Sequence, residues 1–214
     1  MTEAMHVLYG TRGSGSAAVE AALHLADVPF RAVRASSWEA DSAQDELARA
    51  NPLRQIPTLV LPDGRVLTES AAILIHLGLA HPACPLLPAD AGARASSIRG
   101  LVFIAANCYA AISIIDFPER WTTDETKPAQ EAVRRAARAR LHRHWEIFAD
   151  SFEAAPFLAG TAPGALDILA AVVSKWSGTR AHMAAHRPAF SALLGRIEAH
   201  PSLAPVFQAH WPPG

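Results

Sequence analysis

The segment Asn51–Ala72, NPLRQIPTLVLPDGRVLTESAA, constrains this chain more than any other. Ile56-Pro57 stands just ahead of a short apolar run, Thr58–Leu61. Proline has no amide to give a sheet ladder, so it belongs at the first residue of a strand or on an edge. A cis bond there would be a built-in feature of a tight turn. Pro62-Asp63-Gly64 is turn chemistry between the runs TLVL and RVLT and predicts a β-hairpin. Thr68-Glu69-Ser70-Ala71-Ala72 then leads into ILIHLGLA, a helix start that Ser70 can cap and whose free amides favour an anion. A proline-presented backbone edge therefore lies one hairpin away from a helix amino terminus suited to a carboxylate.

The residues before this segment read as a β-α-β unit. His6–Tyr9 is a short apolar strand, Gly10–Ser16 a loop, and Ala17–Asp27 a helix with Val19, Ala22, Leu23 and Ala26 on one stripe. Val28-Pro29 ends that helix and Phe30–Val33 starts a second strand, which a crossover of this kind allows to run parallel to the first. Asp45–Ala50 reads as a short helix stopped by Asn51-Pro52.

Gly13-Ser14-Gly15-Ser16 is the second chemically marked stretch. A serine in a glycine loop at a helix start sits beside oriented amides and the positive end of a dipole, a place that stabilises an anion such as an oxyanion, phosphate or thiolate. The loop is no phosphate-binding Walker motif, because no lysine follows the glycines, and no dinucleotide fingerprint, because the third glycine is missing. It holds no cysteine, which disfavours chemistry on a protein thiol.

Taken together, NP-x-x-QIP-TL followed by LTES-AAI resembles the glutathione transferase superfamily. The resemblance implies an α/β thioredoxin-like N-terminal domain plus an all-α C-terminal domain. It implies that Ile56, before Pro57, pairs its backbone with the cysteinyl part of glutathione, that Glu69 and Ser70 hold the γ-glutamyl end, and that Gln55 lies near the glycyl end. It further implies a serine-type enzyme. Counting from Leu8, Ser14 falls where the family's serine donates to the glutathione sulfur, and Ser16 is the alternative donor. A hydrogen bond to the charged form favours the thiolate, and each unit of depression contributes about 1.4 kcal/mol. Arg12 would add positive charge nearby.

The later chain is looser in its resemblance. It implies domains at 1–80 and 91–214 with a proline-rich linker at 81–90, the linker carrying the family's Leu-Leu-Pro. Ala95–Phe117 reads as one long apolar helix and Pro128–Phe152 as another, with an arginine-rich side. Phe157-Leu158-Ala159-Gly160 with Ala165-Leu166-Asp167 resembles a family folding motif, but Gly164 stands where Ser or Thr usually caps the helix. Arg12, Tyr109, Trp121 and Trp176 are candidates for an acceptor pocket by the same resemblance, with core packing as the other role of the three aromatic residues.

Composition closes off other classes. Half of the residues are hydrophobic and the mean hydropathy is +0.13, ample for a core, while the net charge of −1 gives no steering toward nucleic acid or a membrane. Leu101–Ile115 is too short to span a bilayer, which takes about 20 residues. Two cysteines, Cys84 and Cys108, make no disulfide framework and point to a reducing compartment, and the N-terminal residues show no leader pattern, so a cytoplasmic protein is expected. Ten histidines show no metal spacing: His182 and His186 are i, i+4 but without the glutamate of a zinc helix. The expected function is transfer of the thiolate of glutathione, bound as co-substrate without a metal, to a small hydrophobic electrophile by a homodimer serving detoxification. The same thiolate could instead serve isomerisation of an unsaturated diketo acid or disulfide reduction, or the scaffold could serve binding and regulation without turnover.

Overall fold

A computed structural model describes residues 5–212. The leader reading rests partly on residues 1–4, and these, like Pro213 of the Trp211-Pro212-Pro213 tail, lie outside the described residues. Strand β1 (His6–Gly10) is followed by α1 (Ser16–Leu25), β2 (Phe30–Arg34), α2 (Gln44–Ala50), β3 (Thr58–Val60), β4 (Val66–Leu67) and α3 (Ser70–Ala80). The four strands lie in the order β2-β1-β3-β4. β1 runs parallel to β2, with Leu8 opposite Ala32, and antiparallel to β3, with Tyr9 opposite Thr58. The Pro62-Asp63-Gly64 turn joins β3 antiparallel to β4, with Leu59 opposite Leu67.

Alternation along β1 explains the layering. Leu8 and Leu59 are buried in the main core with Val19, Leu23, Ile73 and Leu77 of α1 and α3. Val7 and Tyr9 point to the opposite face and pack with Leu47 of α2. Successive side chains of a strand face opposite ways, so one strand can serve two layers. The result is a thioredoxin-like α/β unit with α1 and α3 on one face and α2 on the other.

After Ala80 every named element is helical: α4 (Ala91–Phe103), a π-helical turn (Ile104–Tyr109), α5 (Ala110–Asp116), α6 (Lys127–Ser151), α7 (Ala165–Val173), α8 (Thr179–His186), α9 (Pro188–Glu198) and α10 (Ala204–His210). The expected single helix at Ala95–Phe117 is a longer run, Ala91–Asp116, with the π turn inside it. His144 Nδ1 donates to the Asn107 carbonyl in that turn at 2.9 Å, and the Asn107 side chain bonds back to Phe103 O. By length and composition alone the 26-residue run, longer than the Leu101–Ile115 stretch, is long and apolar enough to cross a membrane. Here it packs on α6 and α7, and Leu101, Ile104, Cys108 and Ile112 are buried in the core.

Helix α7 is buried along its length. Gly164 holds the cap position, and its amide donates to Asp167 Oδ2 at 3.0 Å. Asp167, fully buried, also accepts from the amides of Leu158 and Ala159 at 2.8 and 3.0 Å. The glycine has a steric reason. A Cβ there would lie 2.7 Å from Pro85 O and 2.9 Å from Leu86 O, because the linker presses against the α7 start and Ala165 N donates to Leu86 O at 2.8 Å.

Candidate active site

Two helix amino termini and one strand edge converge. Because Tyr9 lies opposite Thr58, the start of the loop after β1 runs beside Ile56-Pro57. The Ile56–Pro57 bond is cis. Among the described residues, neither the amide nor the carbonyl of Ile56 has a hydrogen-bond partner in the chain. Unpaired backbone groups normally find a partner, so this edge is ready for an extended ligand. Pro57 is buried, and Gln55 is exposed with its side chain unengaged.

Sequence reading did not single out the side chains that shape this loop. Buried Asn51 donates from Nδ2 to Gln55 O at 3.1 Å and to Thr58 Oγ1 at 3.0 Å, and its Oδ1 accepts from Leu53 N at 3.1 Å. Thr58 Oγ1 donates to Gln55 O at 2.8 Å. The one available signal was Asn51 itself, a residue whose short amide bonds its own backbone two residues on.

At α3 the expected cap differs. Glu69 occupies the cap position with φ 63°, ψ 107°, and Ser70 is the first helical residue; neither side chain caps the helix. A positive φ on a residue with a side chain costs about 1–3 kcal/mol and clusters at functional sites. That backbone leaves the Glu69 side chain exposed, and buried Ser70 leaves the first-turn amides without a side-chain acceptor.

At α1 the loop also folds differently from expectation. Gly15 holds the cap position and Ser16, expected in the loop, is the first helical residue. Ser14 is 6% and Ser16 2% exposed. Ser14 Oγ donates to Thr11 O at 2.7 Å, and Ser16 Oγ lies 3.1 Å from the same carbonyl and 2.8 Å from Ser14 Oγ. Arg12 turns away, its Nε donating to Ala209 O at 2.5 Å.

Tyr109, from the π turn, reaches this loop. A Cβ added to Gly15 would lie 2.1 Å from its hydroxyl oxygen. The ring stacks on Trp176 at 5.7 Å between centroids and 15° between planes. Burial, with the Glu69 and Asp116 carboxylates adding to it, pushes the phenol up to about 12. Trp121 is 58% exposed at the end of a short 3-10 turn and makes no ring pair among the described residues. The protein thiols are poor nucleophiles: burial pushes Cys108 up to about 12 and also raises Cys84. Among the described residues no three His, Cys, Asp or Glu side chains gather as metal ligands.

Comparison with known proteins fits this architecture. Residues 16–79 match the family model of the glutathione S-transferase N-terminal domain. The chain is 37% identical over 128 residues to the uncharacterized GST-like protein YncG of Escherichia coli K12, spanning 59% of this chain and 62% of that one. It is 39% identical over 103 residues to a probable maleylacetoacetate isomerase of Caenorhabditis elegans, spanning 46% of this chain and 47% of that one. The chain thus spans less than two thirds of the length of these curated relatives. In fold it is similar to a glutathione transferase homolog from Sulfitobacter crystallised with bound glutathione, with a TM-score of 0.83 at 23% identity over 95% of this chain and 97% of that one. The chain is a member of the glutathione transferase superfamily.

Proposed function

We propose that this protein binds glutathione along the Ile56 edge and transfers its thiolate to a small hydrophobic electrophile. The observation that carries the reading is the amide and carbonyl of Ile56, unpaired among the described residues, on an edge that runs beside the loop leading into α1. A tripeptide laid antiparallel along that edge would satisfy both groups. Its γ-glutamyl carboxylate would meet the free amides at Ser70, its γ-glutamyl ammonium the Glu69 carboxylate, and its glycyl end Gln55. Its sulfur would lie by the Ser14–Ser16 loop, where the dipole of α1 favours an anion.

In the reaction the thiol proton passes to solvent and the sulfur lone pair forms a C–S bond at the electrophilic carbon. The electron pair of the broken bond leaves with the displaced group. Proximity supplies much of the rate. The apolar side of the cleft, with Trp176 stacked on Tyr109, would receive the acceptor; Arg12 and Trp121, as placed, belong to its rim at most. A reducing compartment such as the cytoplasm suits two unpaired cysteines, and a homodimer remains part of this reading.

Calorimetric titration of glutathione tests the proposal. Micromolar to millimolar binding that weakens at least tenfold in Ser70→Pro, which removes a first-turn amide, supports it. No binding to the wild type refutes it. A second reading, cis–trans isomerisation of an unsaturated diketo acid, is favoured by the similarity to the nematode isomerase. There the sulfur adds to the double bond, the bond rotates, and the sulfur leaves again with no net change in composition. Turnover of such an acid without consumption of glutathione separates the two.

A further inference from the structure

The protons around the sulfur's expected place are unevenly committed. Ser14 and Ser16 have one hydroxyl proton each. Ser14 spends its own on Thr11 O, and among the described residues Ser16 lies within reach of two acceptors, Thr11 O and Ser14 Oγ. The Ser16 amide donates to Ser14 Oγ at 3.2 Å, which uses an acceptor site of that oxygen as well. Both side chains are buried. For Ser14 to donate to a bound sulfur it would have to give up its 2.7 Å bond to Thr11 O, leaving that carbonyl only the longer contact from Ser16, and for Ser16 to do so it would have to give up Thr11 O or Ser14 Oγ, losses that work against the gain.

Tyr109 is in the opposite position. Its hydroxyl lies against Gly15, at the cap of α1, and the Glu69 and Asp116 carboxylates add to the burial that raises its pKa. Among the described residues it donates to nothing. The stack on Trp176 fixes the ring, and Gly15 leaves room for the oxygen only because it has no Cβ. Gly15 has φ −62° and ψ −15°, a conformation any residue adopts, so its glycine answers to the tyrosine and not to the backbone.

Resting on the reading that glutathione binds here, we propose that Tyr109 is the catalytic donor to the sulfur, its hydroxyl proton holding the thiolate, while Ser14 and Ser16 lock the loop that receives it. A phenol held near 12 stays protonated, and so remains a donor, throughout the physiological range.

The test follows thiolate absorbance of bound glutathione against pH in the wild type, Tyr109→Phe, Gly15→Ala and Ser14→Ala, with calorimetric affinity and melting temperature for each. Tyr109→Phe removes one oxygen that bonds nothing among the described residues, so it is expected to fold. It should keep glutathione affinity within about threefold while the midpoint of thiolate formation rises by about one unit and kcat falls about tenfold with KM for glutathione unchanged. Gly15→Ala, which keeps the phenol but displaces it, should show the same rise. Ser14→Ala should lower the melting temperature through the loss of its bond to Thr11. A midpoint unmoved in Tyr109→Phe overturns the assignment, as does a rise confined to Ser14→Ala. Absence of glutathione binding in the wild type overturns the reading beneath it and the assignment together.

Discussion

The amide of Gly13 donates to Nδ1 of His210 at 3.1 Å, across 197 residues of chain. A ring nitrogen that accepts an amide proton carries none itself, so Nε2 holds the proton and gives it to Glu20 Oε2 at 2.9 Å. With the Arg12 bond to Ala209 O, the loop at the start of α1 is laced to α10. His210→Ala strips the Gly13 amide of its acceptor in a part-buried setting and should cost about 1–3 kcal/mol in denaturant unfolding. Glutathione affinity should drop alongside. An unchanged midpoint would show that the loop holds its shape without α10.

Two glycines in helical surroundings should answer alanine in opposite ways. At Gly164 a Cβ would meet Ala159 Cβ and Pro85 O at 2.7 Å, so Gly164→Ala should destabilise by about 1–3 kcal/mol through overpacking. At Gly195, inside α9, nothing lies within 4 Å of an added Cβ. Gly195→Ala should stabilise by about 0.5–1 kcal/mol, the usual helical preference for alanine. Thermal melts of the two variants read both signs, and equal shifts would contradict the packing argument.

Asn51→Ala removes three hydrogen bonds at once from the loop that presents Ile56. Its Thr58 partner is fully buried, so the loss should be about 2–4 kcal/mol. Because the Ile56 backbone would no longer be held, the Kd for glutathione should rise about tenfold or more in calorimetry, a change of about 1.4 kcal/mol. Loss of stability with full affinity would mean that Ile56 needs no such support.

Acid should loosen the junction of α6 with α8. His142 Nε2 donates to Ser177 O at 3.1 Å, and its ring stacks on His182 at 4.3 Å. Burial holds the His142 imidazole below its ordinary 6.5, with His182 and Arg138 adding to the depression and Ser177 O and Glu146 opposing it. The unfolded chain therefore takes the proton first as pH falls. Stability from this group is full above 6.5 and declines as pH drops through the lower folded value. Melting temperature should fall between about pH 7 and about pH 5. His142→Gln, which cannot titrate, should flatten that decline; an identical slope would assign it elsewhere.

Much of the fold was legible because its signals are local. Pro57 marked the start of β3, Asp63-Gly64 the hairpin, and Val28-Pro29 the end of the first helix, each acting on its own neighbours. The chemistry-bearing residues were visible as types, but not their commitments. That Ser14 and Ser16 both close on Thr11 O depends on a loop turning back on itself, and that Gly13 leans on His210 depends on the last helix reaching the first loop. Gly164 looked like a departure from pattern when read along the chain. It is required by linker carbonyls almost eighty positions earlier, a constraint that no periodicity or propensity carries. The π turn that carries Tyr109 was equally silent, since its composition matches the regular helix on both sides.

The bond from Ala165 to Leu86, closed over a glycine that tolerates no substituent, bears on how proteins of this build diversify. Recombination that joined this front half to a foreign helical half would have to supply a bare position under Pro85 and an amide for Leu86 simultaneously, besides a Tyr109 matched to Gly15. A chimera lacking any one of these would begin life destabilised. On the proposed reading, new acceptor preferences are reached more cheaply by single substitutions on the apolar side of the cleft than by exchange of whole cassettes.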